Sequence, residues 1–183
     1  MALTDEQPVV LITGVPASGK STVADLLVRR FERGVHIRGD VFRRMVVVGR
    51  QEMTSTPSQE AWRQLRLRYR LGADTADAYH QAGFSVVVQD VAIGRVLADY
   101  VAAIGSRPLV VVVLTPRPDV VASREAVRDK TAYGDGFADP AVLDQALRDE
   151  TPRIGLWLDN SDQRPEQTVY EIVDRALDEG LIV

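Results

Sequence analysis

The residues of this 183-residue chain best placed to do chemistry lie near its beginning, where Gly14-Val15-Pro16-Ala17-Ser18-Gly19-Lys20-Ser21-Thr22 matches GxxxxGK[ST]. An apolar, β-branched run at 9–13 precedes the motif and a helical pattern over 22–31 follows it, the strand-to-helix setting in which this spacing grips phosphate. Gly14 and Gly19 let the backbone turn without a Cβ, so that successive amides converge on phosphate oxygens with help from the positive end of the helix dipole. Lys20 then bridges the β- and γ-phosphates, and the Ser21 hydroxyl is a ligand for Mg²⁺. The expected cofactors are therefore ATP and Mg²⁺. Lys20 and Lys130 are the only lysines in an arginine-rich chain, so a lysine at this position is hard to ascribe to composition. The plain alternative is a glycine-rich turn that holds no nucleotide.

Two carboxylates follow strand-like runs. Asp40 ends His36-Ile37-Arg38-Gly39-Asp40, and Asp90 ends Val86-Val87-Val88-Gln89-Asp90. Transfer of a phosphoryl group to an alcohol needs one group to orient or deprotonate the acceptor hydroxyl and another to complete the magnesium shell. Asp90, after an all-valine run, suits magnesium through a bound water. Asp40, at a helix start, suits the acceptor hydroxyl, and either residue could instead cap a helix. Further on, Arg124 and Arg128 stand four apart on one helix face, before the glycine-rich Tyr133-Gly134-Asp135-Gly136. This reads as a lid over about 117–138 whose arginines neutralise charge on the transferring phosphoryl group. Its alternative is a solvated helix with both arginines paired to Glu125 or Asp129. Leu158-Asp159-Asn160-Ser161 reads either as part of an adenine pocket or as an ordinary turn.

The elements that must hold these groups alternate along the chain. Strand-like runs at 9–13, 35–37, 85–88, 109–114 and 154–158 are separated by helical patterns at 22–31, 40–48, 58–81, 95–103, 119–127, 140–148 and 165–178. The runs at 86–88 and 109–114 are unbroken Val and Leu, which predicts strands buried on both faces. The fold class expected is α/β, a three-layer sandwich with a five-stranded parallel sheet, binding its ligand at the carboxyl ends of the strands. With no repeat and no low-complexity tract, residues 1–183 read as one domain, with an acceptor-site helical region over about 40–82.

Composition removes other classes. The apolar share of 45% and charged share of 26% fit a globular chain, and the absence of Cys excludes disulfide scaffolds, thiolate metal sites and cysteine nucleophiles. His36 and His80 are the only histidines and fall on different elements, so neither a zinc HExxH helix nor a Ser-His hydrolase is present. The acidic start MALTDEQ and the short apolar runs predict a soluble, cytoplasmic protein with no membrane partner. The formal net charge of −4 argues against nucleic acid as a partner, yet residues 29–70 hold 11 basic and 4 acidic side chains. Within that stretch Arg43, Arg44, Arg63, Arg66 and Arg70 are the candidate substrate-binding residues, suited to an anionic small-molecule acceptor carrying a hydroxyl group. Solvated arginines are the alternative.

The phosphate loop, Gly39-Asp40 before a short helix, the run Ala82-Gly83-Phe84-Ser85-Val86-Val87-Val88-Gln89-Asp90-Val91-Ala92-Ile93-Gly94, and Arg124-Glu125-Ala126-Val127-Arg128 together resemble the chloramphenicol phosphotransferase-like group of P-loop kinases. The likeness runs in order over about 9–173. It implies the P-loop kinase fold with a small helical lid and ATP-dependent O-phosphotransfer, with Asp40 in the place of the acceptor-activating aspartate. The family's paired acidic residues after the third strand appear here as Gln89-Asp90, and residues 43–70 do not match the antibiotic-modifying member. The acceptor is accordingly expected to be an antibiotic or a metabolite, with an anionic one favoured by the arginines. A nucleotide-sugar kinase of zeta-toxin type or a polynucleotide-end kinase is the enzymatic alternative, and a non-catalytic nucleotide-binding switch is the alternative of another class.

Overall fold

In the computed structural model, which describes residues 3–126 and 140–182, the apolar runs become one sheet. Its strands are β1 (Val9–Gly14), β2 (Gly34–Arg38), β3 (Ser85–Gln89), β4 (Leu109–Leu114), β5 (Leu156–Leu158) and β6 (Leu181–Ile182). The order is β2-β3-β1-β4-β5, all parallel, and β6 pairs antiparallel with β4. Strands β1, β3 and β4 are buried at every position, which is why they read as continuous apolar runs and not as alternating ones.

Helices α1 (Lys20–Val28), α2 (Gly39–Met45), α3 (Gln59–Gln81), α4 (Val96–Ala103), α5 (Pro118–Ala126), α6 (Pro140–Gln145) and α7 (Pro165–Glu179) connect the strands. Side chains alternate across the sheet plane. Val9, Leu11, Val86, Val88, Val111 and Val113 share one core with Tyr69, Ala73 and Ala76 of α3 and Leu97 and Tyr100 of α4. Val10, Ile12, Val87, Val110 and Val112 share the other with Val23, Ala24 and Leu27 of α1 and Val169, Ile172 and Ala176 of α7. The expected three-layer α/β sandwich is therefore present.

Local chemistry sets the element ends. Ser58 caps α3 by accepting a hydrogen bond from the Ala61 amide at 3.1 Å. Gly72 lets α3 approach α4, because a Cβ there would strike the Tyr100 hydroxyl. Tyr69 and Tyr100 stack with centroids 4.5 Å apart across the same contact. The helix expected over 40–48 ends at Met45, where Val46 turns extended ahead of the β-branched Val47 and Val48. The strand expected from 154 begins only at Leu156, because Gly155 has φ +78°. The helix expected over 140–148 divides into α6 and a π-helical turn, Ala146–Glu150. Strand β6, two residues long at Leu181–Ile182, is an addition to the five strands expected. Arg128 and most of the expected lid lie outside the described residues. Among those described, no helix is long and apolar enough to cross a membrane.

Candidate active site

The register places the carboxyl ends of three strands in one row. Ile12 of β1 pairs with Gln89 of β3, which pairs with Arg38 of β2. The phosphate loop, Asp90 and the Gly39-Asp40 pair therefore leave the sheet along one edge, with the acidic strand directly beside β1. At the usual spacing of about 4.8 Å between strands, the start of α2 lies roughly 10 Å from the end of β1.

The loop at 14–22 is held by its own polar groups. Gly14, Ala17 and Gly19 have φ of +146°, +61° and +95°. The value at Ala17 is a left-handed conformation that few alanines adopt, of the kind stored at ligand-gripping turns. A Cβ on Gly14 would lie 2.5 Å from the Leu114 carbonyl oxygen, so glycine is required where the loop crosses the end of β4. The Ser18 amide donates to the Val15 carbonyl at 3.2 Å and closes the turn. Lys20 is buried, its ammonium donating to the carbonyls of Gly14 at 2.9 Å and Val15 at 2.7 Å. Gly19, the N-cap of α1, supplies no side-chain cap, and the first-turn amides of a helix have no intrahelical acceptors. Ser21 and Thr22 are exposed at that end.

A second tier supports the loop from behind. Asn160 is buried after β5 and donates from Nδ2 to the Ser18 carbonyl at 3.0 Å, while its Oδ1 is buried without a hydrogen-bond partner. Arg124 on α5 donates to the Asn160 carbonyl at 2.9 Å and to the Ser18 carbonyl at 3.4 Å. The tetrapeptide at 158–161, left open between base pocket and turn, thus reaches the underside of the phosphate loop. Thr13 joins β1 to the chain after β3, donating to the Ala92 carbonyl at 3.0 Å and accepting from its amide at 2.9 Å.

Asp90 is enclosed. Arg68 of α3 grips both carboxylate oxygens, Nε reaching Oδ2 at 2.8 Å and Nη2 pairing with Oδ1, while the Val91 amide donates to Oδ1 at 2.7 Å. Its side chain has no solvent exposure, and burial pushes its carboxyl above the ordinary value against the pull of Arg68. Gly39 carries this carboxylate directly over its Cα, where any Cβ would collide with it. Tyr69 fixes the next residue by donating to the Val91 carbonyl at 2.6 Å. Of the two residues expected to hold magnesium, Ser21 faces solvent and Asp90 has both oxygens engaged.

Asp40 sits in the first turn of α2, where its oxygens meet Arg43 Nε at 2.8 Å and Arg44 Nε at 2.9 Å. Arg38 is the N-cap residue, so Asp40 does not cap this helix. Burial would raise its carboxyl, but the Arg43 hydrogen bond and the charges of Arg43, Arg44 and Arg68 outweigh burial and hold it below its ordinary value. Beyond it, α2, the segment at 46–58 and α3 enclose a cavity of about 170 Å³, lined by Phe42, Met45, Met53, Leu65, Arg43 and Arg68 among others.

The structure divides the candidate arginines. Arg43 lines this cavity and also bonds Glu52 at 2.6 Å. Arg44 is turned to Asp40, whereas Arg63, Arg66 and Arg70 are exposed and line no part of the cavity, with Arg63 3.2 Å from Glu60. The arginine that enters the site is Arg68, which is not among the five candidates. Its signal was available: along α3 it falls next to buried Tyr69 and four before buried Gly72, on the sheet-facing side.

The family model described as AAA domain matches residues 9–152. No curated protein sequence matches the chain. Among solved structures it is similar to a sugar kinase from Janibacter sp. (TM-score 0.67, 22% identity, covering 95% of this chain and 96% of that one). It is similar to the tunicamycin resistance protein of Deinococcus radiodurans (TM-score 0.63, 16% identity, 97% and 99%). A third is the Mycobacterium tuberculosis APS kinase in complex with AMPPNP and APS (TM-score 0.60, 16% identity, 91% and 95%). A phosphate-loop motif between β1 and α1, the acidic strand beside β1, and a family match over most of the chain agree: this protein belongs to the AAA domain family and has the fold of the small P-loop kinases.

Proposed function

We propose that the protein is an ATP-dependent O-phosphotransferase that moves the γ-phosphoryl group of ATP to a hydroxyl of a small molecule. The observation that carries this reading is the register at the sheet edge, from which the phosphate loop and the Gly39-Asp40 turn both leave, together with a ligand-sized cavity lined by Arg43, the ion-pair partner of Asp40. A nucleotide switch needs the first of these and has no use for the other two.

Residues 14–22 bind the polyphosphate through loop amides, the dipole of α1 and the Lys20 ammonium. Arg124 adds a cation from α5 beside Ser18, and Arg128, one turn further by sequence, is its proposed companion. The residues present fit Mg²⁺ in one respect: Ser21 offers an exposed hydroxyl oxygen, the kind of donor magnesium takes alongside phosphate oxygens and water. When bound, the ion neutralises charge shared between the β- and γ-phosphates. A part for Asp90 in holding it would require Arg68 to turn away.

Asp40 accepts a hydrogen bond from the acceptor hydroxyl and aims its oxygen at the γ-phosphorus. As that oxygen bonds to phosphorus, the bond to the β,γ-bridging oxygen breaks and ADP leaves, while the hydroxyl proton passes to Asp40. A carboxylate held below its ordinary pKa is a weak base, so its contribution is orientation first and proton acceptance late, as the new bond forms. The lid side excludes water that would otherwise take the phosphoryl group.

The test is Asp40→Asn, assayed by ATP consumption with mass-shift detection across metabolites and antibiotics. Turnover should fall roughly a hundredfold or more with ATP affinity near native. Unchanged turnover removes Asp40 from this role.

A further inference from the structure

We infer that the acceptor is an uncharged, amphipathic alcohol whose apolar body sits between α2 and α3 and whose hydroxyl reaches Asp40. This rests on the phosphotransferase reading and names the substrate class for the same site. The cavity of about 170 Å³ is walled mainly by Phe42, Met45, Met53, Leu65, Leu67 and Leu71. About 150 Å³ of apolar cavity suffices for a benzene-sized group.

The polar groups in its wall are committed elsewhere. Arg43 is held by Asp40 and Glu52, and Arg68 by Asp90. Gln64 donates to the Gly49 carbonyl at 2.9 Å and to Glu60 at 3.1 Å while accepting from the Gln51 amide at 2.9 Å. Gln51, also in the lining, is exposed to solvent. A sugar seated here would turn several hydroxyls against methionine and leucine side chains, leaving them desolvated without partners. An anionic acceptor would have to draw Arg43 or Arg68 from a carboxylate it already neutralises, leaving that carboxylate unpaired. An apolar group costs neither.

The rim agrees with the wall. Met45, which lines the cavity, is 66% exposed, and Val47 and Val48, which follow it along the chain, are 87% and 90% exposed. Three large apolar side chains exposed in one short stretch mark a surface suited to an apolar ligand. The exposed Arg63, Arg66 and Arg70 take no part in this site.

The test uses the full chain with ATP and Mg²⁺, comparing 4-phenylbutan-1-ol and cyclohexylmethanol with glucose, gluconate and APS as acceptors. Binding of the two alcohols is followed separately by ligand-detected NMR. The expected result is saturable binding of at least one apolar alcohol and a kcat/KM for it at least a hundredfold above that of every sugar or anion. In Met45→Ser/Met53→Ser the KM for the alcohol should rise about tenfold while kcat and the thermal melting point stay close to native. Absence of saturable alcohol binding, or faster transfer to glucose, gluconate or APS, overturns the inference, the latter while leaving the kinase reading intact. Saturable alcohol binding with no transfer to any compound overturns the kinase reading itself, and the bound alcohol is then no acceptor.

Discussion

On the phosphate side of the sheet edge, polar side chains are buried and shared. Lys20, Asn160 and the part-buried Arg124 converge on three carbonyls of one short loop, and Thr13 ties that loop's strand to the chain after β3. On the acceptor side the cations pair with carboxylates, Arg43 and Arg44 with Asp40 and Arg68 with Asp90, and the surface left between the helices is apolar. On the proposed reading the difference is a division of labour: one region would fix a constant ligand through backbone geometry, and the other uses its charges internally to hold a carboxylate in place. Its selectivity is then left to shape.

Substitutions can break that contrast, beginning with the largest effect. Lys20→Ala should abolish detectable transfer, a loss of at least about a thousandfold, or about 4 kcal/mol in the barrier, with secondary structure by circular dichroism unchanged. Arg68→Met leaves Asp90 buried without its counter-charge and should cost about 3–5 kcal/mol of stability in denaturant unfolding. Arg68→Met/Asp90→Asn should recover most of it, and failure to recover would mean that Arg68 acts through packing and not through charge. The effect of Asp40→Asn falls next, at about 2.7 kcal/mol for a hundredfold loss of turnover.

A pH profile sharpens the same comparison. Because its arginines depress the Asp40 carboxyl in the fold, their stabilisation is present above the ordinary carboxylate pKa and is lost as pH falls through the lowered one. The acidic limb of kcat assigned to Asp40 should therefore lie below the ordinary carboxylate range, and Arg44→Ala should move it upward. The smallest effect is expected from Arg63→Ala/Arg66→Ala/Arg70→Ala, with kcat/KM within about twofold of native, since exposed charges contribute little. A tenfold loss would return those arginines to the acceptor site.

The sheet was legible because burial on both faces writes itself as unbroken Val and Leu, and the phosphate loop because its glycines and lysine are fixed by backbone geometry. Strand order was not, since neither neighbour of β1 is encoded in its own residues. The arginines of α3 misled for a related reason: Arg63, Arg66 and Arg70 form a regular row, but a row marks one face of a helix without saying whether that face meets ligand or water. Arg68, off that row and beside Tyr69, lies toward the sheet; its spacing to Tyr69 and Gly72 hinted at this, and its grip on Asp90 shows it.

The seat of Asp90 on Gly39 bears on how such a protein could change its acceptor. There is no room for even a methyl group between that carboxylate and the start of α2, so a side chain at position 39 would have to displace Asp90 or the helix that carries Asp40. If the proposed acceptor site is right, new acceptor scope would come from the cavity wall, through substitutions on α3 and the segment at 46–58, where side chains can lengthen or shrink away from that contact.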